Sequence, residues 1–277
     1  RKDNINKANE LTLTLKNSKG GKIQVIFRAY NEGVAFRYKF PETDTSIYTI
    51  SKENTGFGID KAGKAWLQTF GVPTEWGPAY EDFYSPASEI GTNAPDSSGW
   101  SFPALFQSKN KWILLAESGL EGNYAGTRLA QNYENGIYKV RFPLVDEGLS
   151  TGAVFPSSSL PWATPWKVIA ISSTSAGIFE TNLVNHLALP QIAGDFSWVK
   201  PGRASWSWWG EHDSPKDFKR LKEYVDLAKE MNWEYSLIDA NWDLMTKGGT
   251  IEDLVKYANS KNIALLFWYN SGGVHNT

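Results

Sequence analysis

Residues 203–238 read RASWSWWGEHDSPKDFKRLKEYVDLAKEMNWEYSLI, and the succession of patterns within them decides the fold. Residues 204–209 predict a short strand. Ser214-Pro215-Lys216-Asp217 predicts a helix start, with a serine N-cap, a proline in the first turn and a carboxylate three residues on. Phe218, Leu221, Val225 and Ala228 then fall on one stripe at helical spacing. Residues 233–238 predict the next strand. Thr250-Ile251-Glu252-Asp253 caps a second helix carrying Leu254, Val255 and Ala258, and residues 263–269 predict a third strand. That last segment is apolar nearly throughout, as strands buried on both faces are. The order β-α-β-α-β predicts a parallel sheet.

Three strands are too few for a closed barrel, which takes eight strand–helix units, and equally few for a doubly wound domain. The expectation is therefore an incomplete α/β domain whose missing part lies beyond Thr277. In either architecture the site forms at the C-terminal ends of the strands.

Upstream the grammar is different. Residues 11–15, Leu-Thr-Leu-Thr-Leu, alternate as a half-buried strand does. Two segments, 23–30 and 34–40, flank Asn31-Glu32-Gly33, which reads as a three-residue hairpin with glycine available for the left-handed position. Val34, Phe36, Tyr38 and Phe40 share one face of the second arm, and Arg37 and Lys39 the other. Asn135-Gly136 is a strong two-residue turn signal, and residues 112–116 and 166–171 supply further apolar strands. Many short strands separated by turns predict a sandwich or barrel. The domains read as 1–185, an antiparallel β domain; 186–200, a linker; and 201–277, the α/β part.

The sequence has 28 Lys and Arg against 30 Asp and Glu, a net charge of −2, so it carries no electrostatic footprint for nucleic acid or an anionic membrane. No apolar run is long enough to span a bilayer. The absence of cysteine removes disulfides, thiolate metal sites and cysteine nucleophiles. No signal peptide is visible at Arg1-Lys2-Asp3-Asn4. Thirteen tryptophans and twelve tyrosines are the oddity of the composition. They serve either as large core residues or as plates for sugar rings.

The predicted strand tips carry the chemistry. Trp208 follows the first strand, Asp239, Asn241 and Trp242 the second, and Trp268 and Asn270 the third. Carboxylate, amide and indole groups together suit a saccharide, whose hydroxyls need hydrogen bonds and whose ring has apolar faces. These six are the candidate substrate-binding residues. Trp206 reads equally well as packing. Glu117, closing the apolar strand before it, reads by its pattern alone as a solvated strand-end residue. No zinc spacing, phosphate loop, nucleophile elbow or EF-hand loop is present.

Residues 27–38, Phe-Arg-Ala-Tyr-Asn-Glu-Gly-Val-Ala-Phe-Arg-Tyr, resemble a signature of the N-terminal sandwich of glycoside hydrolase family 97. Pro201-Gly202-Arg203-Ala204-Ser205-Trp206-Ser207-Trp208-Trp209 looks like that family's entry into its catalytic barrel, with Asp239-Ala240-Asn241-Trp242 and Trp268-Tyr269-Asn270-Ser271-Gly272-Gly273 at its second and third barrel strands. The resemblance implies an incomplete antiparallel β-sandwich followed by the first strands and helices of a (β/α)8 TIM-type barrel. It implies an α-glycosidase with calcium where sandwich and barrel meet. Ala116-Glu117-Ser118-Gly119-Leu120 is similar to the stretch lending that metal a glutamate, so Glu117 becomes a candidate calcium ligand. The third-strand motif, with His275-Asn276, looks more like the retaining, α-galactoside-directed branch, exo-acting on oligosaccharides, than the inverting α-glucosidase branch. Neither catalytic carboxylate is expected within these residues. The resemblance also favours the bacterial periplasm or cell surface. A non-catalytic carbohydrate-binding β domain is the alternative from a different class.

Overall fold

In the computed structural model the described residues are 6–71, 86–145, 147, 153–190, 192–245 and 248–269. They divide into two compact units, Arg1–Gln191 and Ile192–Thr277. The first contains β1 (Asn9–Lys16), β2 (Lys22–Tyr30), β3 (Gly33–Thr49), β4 (Gly56–Gly58), β5 (Gly63–Trp66), β6 (Ser88–Glu89), β7 (Ala104–Ser108), β8 (Lys111–Ser118), β9 (Arg128–Glu134), β10 (Ile137–Arg141), β11 (Ser157–Ala163) and β12 (Trp166–Ser172), then two short helices, α1 (Ser175–Glu180) and α2 (Leu183–Leu187). The second contains β13 (Ala204–Trp206), α3 (Phe218–Glu230), β14 (Tyr235–Ile238), α4 (Ile251–Ser260) and β15 (Ala264–Phe267).

In the first unit a nine-stranded antiparallel sheet runs β1-β2-β3-β12-β8-β7-β5-β6, with β11 also paired to β3, and a three-stranded sheet runs β4-β10-β9. Alternation along β8 distributes its side chains between two cores. Leu115 packs with Phe57, Phe106, Leu129 and Tyr138 between the sheets, while Ala116 packs with Trp166, Val168, Leu183 and Leu187 under the helices. This is an incomplete β-sandwich with helices on the outer face of its larger sheet.

Local signals were met to different degrees. Asn135 and Gly136 both have positive φ, 51° and 84°, and join β9 to β10 as the mirror-image turn that suits the strand twist. The β2–β3 hairpin, read as a three-residue loop, has two loop residues, because Gly33 pairs with Tyr30 as the first residue of β3. Glycine is required there by close approach: a Cβ would lie 2.2 Å from the Ile169 carbonyl oxygen. Strand β1, expected to be half-buried, is exposed along its whole length. It is an edge strand with β2 as its one neighbour, and among the described residues nothing covers its leucines.

The second unit is a parallel sheet in the order β13-β14-β15, with Trp206 opposite Leu237 and Ile238 opposite Phe267. Leu221, Val225 and Ala228 of α3 and Leu254 and Ala258 of α4 are fully buried against Ile238 and Ile263. Each large side chain so buried contributes roughly 1.5–3 kcal/mol. This is the opening βαβαβ of a (β/α) barrel. Thr250 and Asp253 form a reciprocal capping box on α4, as the sequence predicts. The cap of α3 is different: Ser214–Lys216 forms a separate 3-10 turn, and the Asp217 side chain caps the helix by accepting from the Arg220 N–H at 3.1 Å. Strand β15 is shorter than its apolar run and alternates between exposed and half-buried residues, because the described helices cover one face of this sheet.

Candidate functional site

Parallel strands end together, so the tips of β13, β14 and β15 come to one end of the second unit. Asp239 follows β14 directly, and the residue is 6% exposed. One carboxylate oxygen, Oδ2, accepts from the indole N–H of Trp206 at 2.7 Å, and the other accepts from the backbone N–H of Ala240 at 2.7 Å. Trp206 is opposite Leu237 in register, and Asp239 stands two residues beyond Leu237, so both side chains project from the same face of the pleat.

Trp208 stacks on Trp206, with ring centres 6.2 Å apart and planes at 12°, and also packs on His212 at 4.2 Å. Trp209 tilts against Trp206 at 5.0 Å. Asn241 holds a left-handed conformation, φ 69°, which turns the chain into the 3-10 segment Trp242–Leu244. Asparagine tolerates this geometry better than most residues. The Trp242 indole donates to the Trp268 carbonyl at 3.1 Å and packs on Phe267 and Tyr269. The Trp268 N–H donates to the Ile238 carbonyl, tying the ends of β14 and β15 together. Trp208, Asp239, Asn241, Trp242 and Trp268 therefore lie on adjacent strand tips. Asn270 lies outside the described residues. Trp206, which the sequence left between packing and binding, is the residue in direct contact with Asp239. The contact follows from the strand register, which no local sequence pattern specifies.

Glu211 is exposed, and hydrogen bonding to the Arg220 guanidinium holds its carboxyl below the usual range. It is committed to a surface ion pair.

Glu117 lies in the first unit, in an environment its sequence pattern did not predict. It is mostly buried, and both oxygens are occupied. Its Oε2 accepts from the Thr127 N–H at 2.8 Å, and Oε1 accepts from the Thr127 hydroxyl at 2.5 Å and from the Lys167 ammonium. Lys167, fully buried, also lies 3.1 Å from Glu53 Oε2, which accepts from the Tyr124 hydroxyl at 2.9 Å. A carboxylate has about four lone-pair positions, so three bonds leave Glu117 roughly one. Calcium takes 6–8 oxygens. Among the described residues no group of three or more His, Cys, Asp or Glu is arranged to hold a metal. Glu117 thus has room to offer a calcium ion one oxygen lone pair.

An antiparallel two-sheet unit followed by a parallel βαβαβ unit with indoles and a buried carboxylate at its strand tips defines a multidomain β plus α/β protein with a barrel-type site. The family described as Glycosyl-hydrolase 97 N-terminal matches residues 1–190, and the chain belongs to that family. It is 27% identical over 294 residues to a retaining alpha-galactosidase of Bacteroides thetaiotaomicron, with 92% of this chain and 43% of the relative covered. It is 26% identical over 262 residues to a probable retaining alpha-galactosidase of Streptomyces bingchenggensis, with 90% and 38% covered. A crystal structure of a beta-arabinopyranosidase superposes with a TM-score of 0.85 at 33% identity, covering 97% of this chain and 44% of that one. The chain thus spans less than half the length of these relatives. Among the described residues no helix is long and apolar enough to cross a membrane.

Proposed function

We propose that this chain supplies the sandwich and part of the substrate pocket of a retaining α-glycosidase of the α-galactosidase type, exo-acting on oligosaccharides. The observation that carries the reading is the convergence of Trp208, Asp239, Trp242 and Trp268 on adjacent parallel strand tips. Family membership and the names of two relatives support it.

In this reading the indoles offer plates to the apolar face of a sugar ring, and Asp239 accepts from a ring hydroxyl. Asn241 and Asn270 supply amide contacts. The nucleophile and the general acid belong to residues outside this chain. In a retaining mechanism one carboxylate attacks the anomeric carbon while the other protonates the leaving oxygen, and water then releases the sugar. A calcium ion would take Glu117 as one oxygen donor, with its remaining ligands also outside this chain, and no step is routed through it.

The beta-arabinopyranosidase similarity favours a second substrate. L-Arabinopyranose has the ring configuration of galactopyranose without the hydroxymethyl group, so one pocket can take either. The test is hydrolysis of nitrophenyl α-galactoside, β-L-arabinopyranoside and α-glucoside by the enzyme encoded in the full reading frame, with the product anomer read by NMR. Retention on either of the first two substrates is expected. Inversion, or turnover of the glucoside alone, would move the chain to the other branch of the family.

A further inference from the structure

We infer that Trp206 is a positioning residue for sugar binding: its indole N–H fixes the Asp239 carboxylate so that the remaining lone pairs meet a substrate hydroxyl. The inference rests on the reading of Asp239 as a hydroxyl acceptor, and it goes beyond that reading by naming what holds the acceptor. Asp239 is 6% exposed, yet among the described residues its carboxylate makes no ion pair. Its hydrogen-bond donors are two N–H groups, from Trp206 and Ala240. A carboxylate with about four lone-pair positions and two donors still has acceptor capacity for a further donor. A sugar hydroxyl is a donor of the right kind.

The Ala240 N–H, from the adjacent peptide, holds one carboxylate oxygen. The Trp206 N–H, from a different strand, holds the other and so fixes the plane of the group relative to the sheet. Its direction is itself fixed, because the indole is stacked by Trp208 on a plane only 12° from its own and flanked by Trp209 at 5.0 Å. Locking a polar group by an element other than its own is how a binding site avoids ordering it when the ligand arrives.

The experiment is a double-mutant cycle on the enzyme of the full reading frame, with whichever nitrophenyl glycoside it cleaves. Trp206→Phe keeps an aromatic plate and removes the N–H; Trp206→Leu is read beside it, and thermal midpoints report whether each variant is folded. Asp239→Asn is expected to raise KM at least about tenfold, the scale of a hydrogen bond to a charged group. Trp206→Phe is expected to raise KM by a similar factor with kcat little changed, since the contact binds ground state and transition state alike. The double variant is expected to be no worse than Asp239→Asn alone. Unchanged kinetics in Asp239→Asn would overturn the reading of Asp239. A defective Asp239→Asn beside an unaffected Trp206→Phe, or losses that multiply in the double variant, would overturn the role of Trp206 alone.

Discussion

Lys167 Nζ lies 3.1 Å from Glu53 Oε2 in the interior of the sandwich, and the same ammonium bonds Glu117, its cross-strand neighbour on β8. A lysine with no exposed side chain is stable there because two carboxylates and the Thr127 hydroxyl surround it. Removing the cation would leave two buried carboxylates facing each other uncompensated. Breaking such a cluster costs about 3–5 kcal/mol. Lys167→Met should lower the free energy of unfolding by that amount, measured by urea denaturation with tryptophan fluorescence. A loss under about 1 kcal/mol would mean the ammonium is dispensable.

Tyr124 gives a pH dependence from the same cluster. Burial, then the neighbouring Glu53 carboxylate, push its phenol well above the ordinary range. Burial likewise raises Tyr138. Above the unfolded value of about 10, the unfolded chain releases protons that the folded one keeps, so stability falls as pH rises. Alkaline unfolding should therefore set in beyond about pH 10, and Tyr124→Phe should flatten the slope there. Absorbance at 295 nm checks it: Tyr124 should ionise only as the fold is lost.

The cap of α3 separates two readings of the same segment. Asp217→Ala removes the acceptor for the Arg220 N–H and should cost about 1 kcal/mol, whereas Asp217→Asn, which keeps a capping oxygen, should cost much less. Equal losses would indicate that charge, and not the cap, is what matters.

Calcium is testable through Glu117. In the full-reading-frame enzyme, chelation is expected to lower activity and calcium to restore it. Glu117→Gln should weaken calcium binding by at least about tenfold in calorimetry, since an anionic ligand becomes neutral. The comparison belongs at a temperature where the variant is folded, because the substitution also releases Lys167. Identical affinity would remove Glu117 from the ligand set.

Much of the architecture was legible because its signals are local. Alternation with period two, the Asn135-Gly136 turn, the Thr250–Asp253 capping box and the stripe through Leu221, Val225 and Ala228 each need only neighbours in the chain. Those features sufficed for an antiparallel β unit followed by a parallel βαβαβ unit, and for a set of polar and aromatic strand tips. The α3 cap was misread because Ser214-Pro215 and Asp217 both satisfy the local rule. The choice between them fell to Ser214, buried and donating to Ser207 at 2.7 Å.

What the residues by themselves determined was therefore the kind of each element and the end of the sheet where chemistry collects. Strand register, which no local pattern specifies, decided the rest. It set Trp206 against Asp239 across 33 positions of sequence and Lys167 against Glu117 across 50. Those partners meet only when distant strands pair. Which pairing wins is settled by burying the apolar faces of both units at once, a property of the folded whole that no single segment carries.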